Sequence, residues 1–204
     1  MAFMKKKKVA EDQSEVKLTW KQNLIVSIHD MISVLAVFLL IYMLLFRMVV
    51  VVGPSMYDTL IQGDRVVLLS SLVYRNPKPG DIIVASLADF KGGECIVKRV
   101  IATEGQIVDI DFERGVVFVD GEEIDEPYIH SYTYNQQGVS FPLIVQKGHV
   151  FVLGDNRESS LDSRSYEIGQ IDRREILGKA IFLLIPGDND GLEKPRYDRI
   201  GVIK

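Results

Sequence analysis

From Leu24 to Phe46 the chain reads LIVSIHDMISVLAVFLLIYMLLF, and no other stretch limits its folding so strongly. At about 1.5 Å of rise per helical residue, the run is long enough to cross a hydrocarbon core of about 30 Å. Only His29 and Asp30 interrupt it, both near the first end, and from Met31 to Phe46 it is apolar all the way round. A helix of that kind has no polar face to turn to water, so it belongs in lipid. No small-x-small cleavage site follows, and the segment is read as a retained anchor instead of a removable signal peptide. Lys5, Lys6, Lys7, Lys8, Lys17 and Lys21 precede it, whereas Arg47, Arg65 and Arg75 beyond it are interspersed with Asp58 and Asp64. That asymmetry predicts a cytoplasmic basic tail over residues 1–23, a single plasma-membrane span over 24–46, and everything after Arg47 outside.

The 204 residues carry 24 basic and 28 acidic side chains, a formal net charge of −4, with no basic stripe among aromatics. This balance gives no footprint for a phosphate backbone, so nucleic acid is not an expected partner. Cys95 is the only cysteine, which rules out an intramolecular disulfide and a cysteine-based zinc site. His29, His130 and His149 are scattered, without the i,i+4 spacing that puts two imidazoles on one helix face. No metal or cofactor is expected; His130 and His149 are read as surface or loop residues and Cys95 as a small core residue.

Beyond the anchor the chain breaks into short β-branched runs at 48–52, 65–69, 82–86, 95–102, 106–111, 116–119, 148–153 and 179–185. Turn signals such as NPKPGD, DFKGGE, ERG and VDGEE separate them. The pattern predicts a mainly β domain of antiparallel strands over residues 47–187, barrel-like or sandwich-like, with two successive hairpins in VDIDFERGVVFVDGEEI turned at Gly115 and Gly121. HSYTYNQQGVSF, ending at Phe141, reads as a long surface loop, and residues 188–204 as a charged surface tail.

Three stretches carry chemistry. VVGPSMYDTL, directly after the anchor, places Ser55 behind Gly53 and Pro54. A serine hydroxyl is a poor nucleophile unless a neighbour takes its proton, and no histidine stands in a comparably distinctive context. ECIVKRVIATEG sets Lys98 and Arg99 in an apolar strand, where alternation sends one of the two bases inward. Burial penalises an ammonium, so an inward Lys98 would hold a neutral amine near physiological pH and could act as a general base. GDNRESSLDSRSYEIG, after the apolar run HVFVL, reads as a loop knitted by its own hydrogen bonds.

In this order, behind an N-terminal anchor, GPSMYDTL, IVKRVI and GDNRESSLDSR resemble the serine, lysine and loop boxes of the bacterial type I signal peptidases. These are membrane-bound serine proteases that remove signal peptides from exported proteins. The resemblance implies that Ser55 is the nucleophile and Lys98 its general base, that the Ser160 hydroxyl holds the lysine amine, and that Asp162 and Arg164 form a supporting pair. Gly154, Asp155, Asn156 and Arg157 would shape the loop, and Met56 would pack beside the cleavage-site side chain. Val51, Met56, Leu60 and Val97 are the candidate walls of shallow pockets for small side chains. Preproteins and membrane lipid are the implied partners; oligomeric state has no signal in the sequence.

The chain departs from many relatives at Asp58, where they carry proline, and at ATEGQ, where they carry GLPGD. Some relatives also have a hydroxyl residue in place of Gly53 that serves as an oxyanion donor; Gly53 leaves that task to backbone amides. Pro54 is expected to bias Gly53 toward an extended shape, and Gly53→Ser to keep or raise activity. The competing readings are another Ser-Lys protease such as a self-cleaving repressor, a sortase-like enzyme using Cys95, and a catalytically inactive membrane-anchored binding or assembly module of the same fold.

Overall fold

The computed structural model describes residues 19–88, 90, 92–187 and 196–203. The basic tail before Thr19 lies outside them, as does the stretch 188–195. The chain forms two compact units, Met1–Ile41 and Tyr42–Lys204.

Helix α1 (Trp20–Leu45) accounts for the described part of the first unit and runs on into the second. Its start lies four residues before the apolar run because Gln22 reaches back to Thr19, accepting from the Thr19 N–H at 2.8 Å and the hydroxyl at 2.9 Å. This is half of a capping box. No residue of the helix is buried, and it is long and apolar enough to cross a membrane.

The strands of the second unit pair antiparallel. Strands β1 (Phe46–Val50), β2 (Arg65–Ser70), β3 (Ile82–Ser86) and β4 (Cys95–Thr103) come first. A hairpin module follows in β5 (Ile107–Asp111), β6 (Val116–Val119), β7 (Glu122–Glu123) and β8 (Leu143–Ile144). Strands β9 (His149–Leu153), β10 (Ile171–Asp172), β11 (Ile176–Ile185) and β12 (Gly201–Val202) complete the unit. One sheet has the order β1-β2-β11-β3-β4-β9-β10 with β12 on β11; the other has the order β7-β6-β5-β8.

The predicted strands are all present, with shifted ends. The first opens at Phe46, which pairs with Leu69, and closes at Val50 because Val51 exchanges both backbone groups with Gly63 and Asp64 across the mouth of a turn. Asp120 and Gly121 both have positive φ, 54° and 85°, as the two-residue turn joining β6 and β7 requires. Gly115 (φ 72°) is needed twice over, since a Cβ there would stand 2.6 Å from the Cβ of Tyr132.

Cys95 does not sit in the core: it is exposed at the first position of β4. The tail expectation also changes, because residues 196–203 add a 3-10 turn at Tyr197–Arg199 and strand β12, paired to Phe182 and Leu183. Among the described residues, three apolar clusters hold the unit together. One, built on Ile101, Val108, Val117, Phe151 and Leu153, joins the end of β4 to the smaller sheet. Another contains Val51, Met56, Leu60, Val66, Leu68 and Val84, and fixes the segment after β1 against the main sheet.

Candidate active site

The segment from Val51 to Asp64 folds back on itself between β1 and β2. Tyr57 N–H donates to the Pro54 carbonyl at 3.1 Å and Leu60 N–H to Met56 at 2.8 Å, while Met56 and Leu60 anchor the turn in the core. Ser55 is left half-buried at its start. Gly53 has φ 87°, so the extended shape expected ahead of proline is not adopted; glycine permits the left-handed entrance that an L side chain resists.

Lys98 lies on β4 opposite Ile83. Its Nζ donates to Ser55 Oγ at 2.8 Å and to the Val97 carbonyl at 3.0 Å. The side chain is 5% exposed. Burial pushes the amine from 10.5 down to about 8; the Asp162 and Asp155 carboxylates work against this, and the Arg164 guanidinium reinforces it. The two residues are 43 apart in sequence and meet without a histidine between them.

Alternation along the strand predicts one inward base, yet both are buried, Arg99 to 2% exposure. Strand β4 is covered on both faces, and Arg99 finds a carboxylate: Nε and Nη2 bind the two oxygens of Asp155 at 2.9 and 2.8 Å. Its guanidinium also lies 3.9 Å from the centre of the Tyr128 ring.

The loop 154–165 supports Ser55 from below. Asn156 donates its N–H to the Ser55 carbonyl at 3.0 Å and its Nδ2 to the Pro54 carbonyl at 3.2 Å. Gly154 permits the approach, because a Cβ there would fall 2.2 Å from Ser160 Oγ and 2.5 Å from the Ser55 carbonyl oxygen. Asp162 and Arg164 pair, Nε to Oδ1 at 2.8 Å and Nη2 to Oδ2 at 2.9 Å, both sealed from solvent. Asp162 Oδ2 also accepts from the Gly154 N–H at 3.1 Å.

The expected bond between the Ser160 hydroxyl and the Lys98 amine is not made. Ser160 Oγ is buried against Gly154 and has no hydrogen-bond partner among the described residues. The candidate pocket walls are brought together in one cluster, but Val51, Met56 and Leu60 are only 1–2% exposed, leaving partly buried Val97 at its surface.

The loop through 128–141 is more than surface. It straps the 154–165 loop through His130 N–H to the Asp155 carbonyl (2.9 Å), Arg164 Nη1 to the Asn135 carbonyl (3.0 Å) and Val139 N–H to the Arg164 carbonyl (2.9 Å). Arg157, fully buried, is held by Glu126 and by Thr133 Oγ1 at 2.6 Å. His130 Nδ1 sits 3.1 Å from Asp58 Oδ2, which ties the strap to the serine turn. None of these partners stands near its mate in sequence, so spacing could not have paired them.

A serine hydroxyl held by a buried, weakly basic amine is an arrangement for acyl transfer, and comparison with known proteins decides the family. Residues 24–185 match the family described as "Signal peptidase, peptidase S26". The chain belongs to this signal peptidase family. It is 38% identical to "Probable signal peptidase I-1" of Synechocystis sp., over 68% of this chain and 71% of that protein. It is 32% identical to "Signal peptidase I P" of Bacillus subtilis subsp. natto over 91% and 97%, and to "Signal peptidase I T" of Bacillus subtilis over 88% and 91%. The signal peptidase is accordingly a serine endopeptidase, a hydrolase with its protease domain behind an apolar N-terminal helix. The inactive-module alternative finds no support among these relatives.

Proposed function

We propose that this signal peptidase removes N-terminal signal peptides from exported preproteins after small-x-small sites, with Ser55 as nucleophile and Lys98 as general base. The observation that carries the assignment is the 2.8 Å contact between Lys98 Nζ and Ser55 Oγ, made by an amine pushed down to about 8. A neutral Lys98 accepts the Ser55 proton as the oxygen attacks the scissile carbonyl. The backbone N–H of Ser55 stabilises the developing oxyanion, since Gly53 brings no hydroxyl. The lysine then passes its proton to the departing amine of the mature chain, and later activates the water that hydrolyses the acyl-enzyme.

The substrate segment binds as an added strand between β1 and the Cys95–Lys98 part of β4. Two features support this: β9 pairs with β4 only from Arg99 to Thr103, and β1 ends the sheet order. Val97, backed by the buried Val51, Met56 and Leu60, sets the depth available to the substrate's small side chains. Asp162 and Arg164 hold the loop beneath Ser55. The lysine-rich segment before α1 favours a cytoplasmic N-terminus, a single pass through the plasma membrane, and a protease domain outside.

The test is cleavage of a preprotein by detergent-solubilised wild type, Ser55→Ala and Lys98→Ala, read by the new N-terminus of the product. Cutting after a small-x-small site by wild type alone is expected. Equal cutting by Ser55→Ala would remove Ser55 as nucleophile.

A further inference from the structure

Asp64 closes the turn that carries Ser55, and it is fully buried. Its carboxylate accepts from the Ile61 N–H at 2.9 Å and the Gly187 N–H at 2.7 Å. Its other two partners come from the far end of the chain: Arg199 Nη1 reaches Oδ1 at 2.9 Å and Nη2 reaches Oδ2 at 2.7 Å. The same Nη2 donates to the Thr59 carbonyl at 3.2 Å, so one guanidinium bridges the middle of the turn to its end. Thr59 in turn donates its hydroxyl to Asp155 Oδ2 at 2.5 Å, and Asp155 is bound by Arg99, the neighbour of Lys98.

Arg199 is itself fixed. It ends the Tyr197–Arg199 turn, and β12 pins the following residues to β11. Opposite it, Gly187 lies so close to the serine turn that a Cβ would stand 2.2 Å from the Gln62 carbonyl oxygen. Planar, bidentate pairing with a carboxylate plus a further carbonyl contact is a task for arginine, which lysine's single ammonium cannot duplicate.

We propose that Arg199 is a positioning residue for the protease: it clasps the Val51–Asp64 turn from the C-terminal segment and keeps Ser55 Oγ in register with Lys98. The inference rests on the Ser55–Lys98 reading of the active site. Its route runs through backbone, since Arg199 touches neither reacting group. A small displacement of a nucleophile costs rate out of proportion to its size, because attack needs near-contact and alignment. The strand-addition edges on β1 and β4 lie outside the clasp, and Val51, Met56 and Leu60 within it are buried behind Val97 and not at the surface the substrate meets, so the loss should fall on kcat far more than on KM.

A cavity of about 250 Å³ lined by Thr59, Leu60, Leu183, Arg199, Gly201 and Val202 opens beside the guanidinium, which makes chemical rescue a practical probe. The full-length wild type, Arg199→Ala and Arg199→Lys are compared on one preprotein below the thermal midpoint of each, with kcat, KM and the pH–rate midpoint recorded. Arg199→Ala should lose about tenfold in kcat with KM within about twofold and the midpoint unchanged. Guanidinium at a non-denaturing concentration should restore part of that loss while leaving wild type unaffected, and Arg199→Lys should fall between the two.

An Arg199→Ala kcat equal to wild type, a rise in KM alone, or a folded variant that guanidinium does not rescue would overturn the proposal. If Arg199→Ala is unfolded at every usable temperature, Arg199→Lys decides: a folded Arg199→Lys with wild-type kcat overturns the clasp, and a reduced kcat with unchanged KM supports it. Absence of cleavage by wild type would instead strike the proteolytic reading itself.

Discussion

Arg99 and Asp155 meet through two parallel hydrogen bonds of 2.9 and 2.8 Å, with the arginine 2% exposed and the carboxylate sealed from water. The pair joins the residue after Lys98 to the loop beneath Ser55, and Thr59 adds the serine turn through its hydroxyl. Ser55, Lys98 and the 154–165 loop are therefore joined through one buried ion pair, and a change in its charge should be felt by the Lys98 amine.

Asp155→Asn and Asp162→Asn both remove a negative charge that favours protonated Lys98, Asp162 being the larger influence. Each should move the midpoint of the pH–rate profile below about 8, Asp162→Asn further than Asp155→Asn. Each should also cost about 3 kcal/mol of stability, because a buried guanidinium is left uncompensated. A pH–rate profile together with thermal unfolding checks both effects, and an alkaline shift would contradict the electrostatic account.

Lys98 should show itself in stability as well as rate. Its folded value, about 8, lies below the ordinary 10.5, so between them the unfolded chain binds more protons than the folded one. Stability should then rise with pH across that window, and the burial handicap should be present in full below it. Lys98→Met should abolish cleavage yet unfold at a higher temperature than wild type at pH 7, by an amount on the order of 3 kcal/mol. That advantage should shrink as pH rises toward 10.5. Denaturation of both proteins across this range measures it. The cleavage rate of wild type should climb with the neutral fraction of Lys98 and level off above about 8; control by a group titrating near 6.5 would point to histidine.

Gly53 has open space where a Cβ would go but a φ of 87° that side chains rarely adopt. Gly53→Ser and Gly53→Ala should each lose about 1 kcal/mol through backbone strain. Only the serine adds a hydroxyl near the developing oxyanion, so its kcat should exceed that of the alanine variant. Paired kinetics on the two proteins separate strain from catalysis, and equal kcat values would place the hydroxyl outside the oxyanion's reach.

The strands were legible because β-branched runs and glycine turns act locally: Asp120–Gly121 and Gly115 announce their hairpins without help from the rest of the chain. Ser55 and Lys98 stand out through the motifs around them, and the fold brings their side chains to 2.8 Å. What the sequence concealed were partnerships across long separations, such as Arg157 with Glu126 and Arg199 with Asp64. Arg99 was hidden for a related reason, since alternation assumes one wet face and β4 has none at that point. The Ser160 hydroxyl shows the opposite limit: a motif can name a residue without fixing where its side-chain oxygen points.

Strand β1 stands at the end of its sheet, and Met48, Val50 and Val52 beside that open edge are all more than half exposed. An unguarded apolar edge suits a visiting strand, but it does not distinguish a visitor from another copy of itself. Cut free of α1, the domain would be prone to stick to its own kind, edge against edge, and a short extended peptide would compete with that self-association. Held in a bilayer, copies meet only as neighbours in a plane, so surface density and not bulk concentration governs how often one edge encounters another.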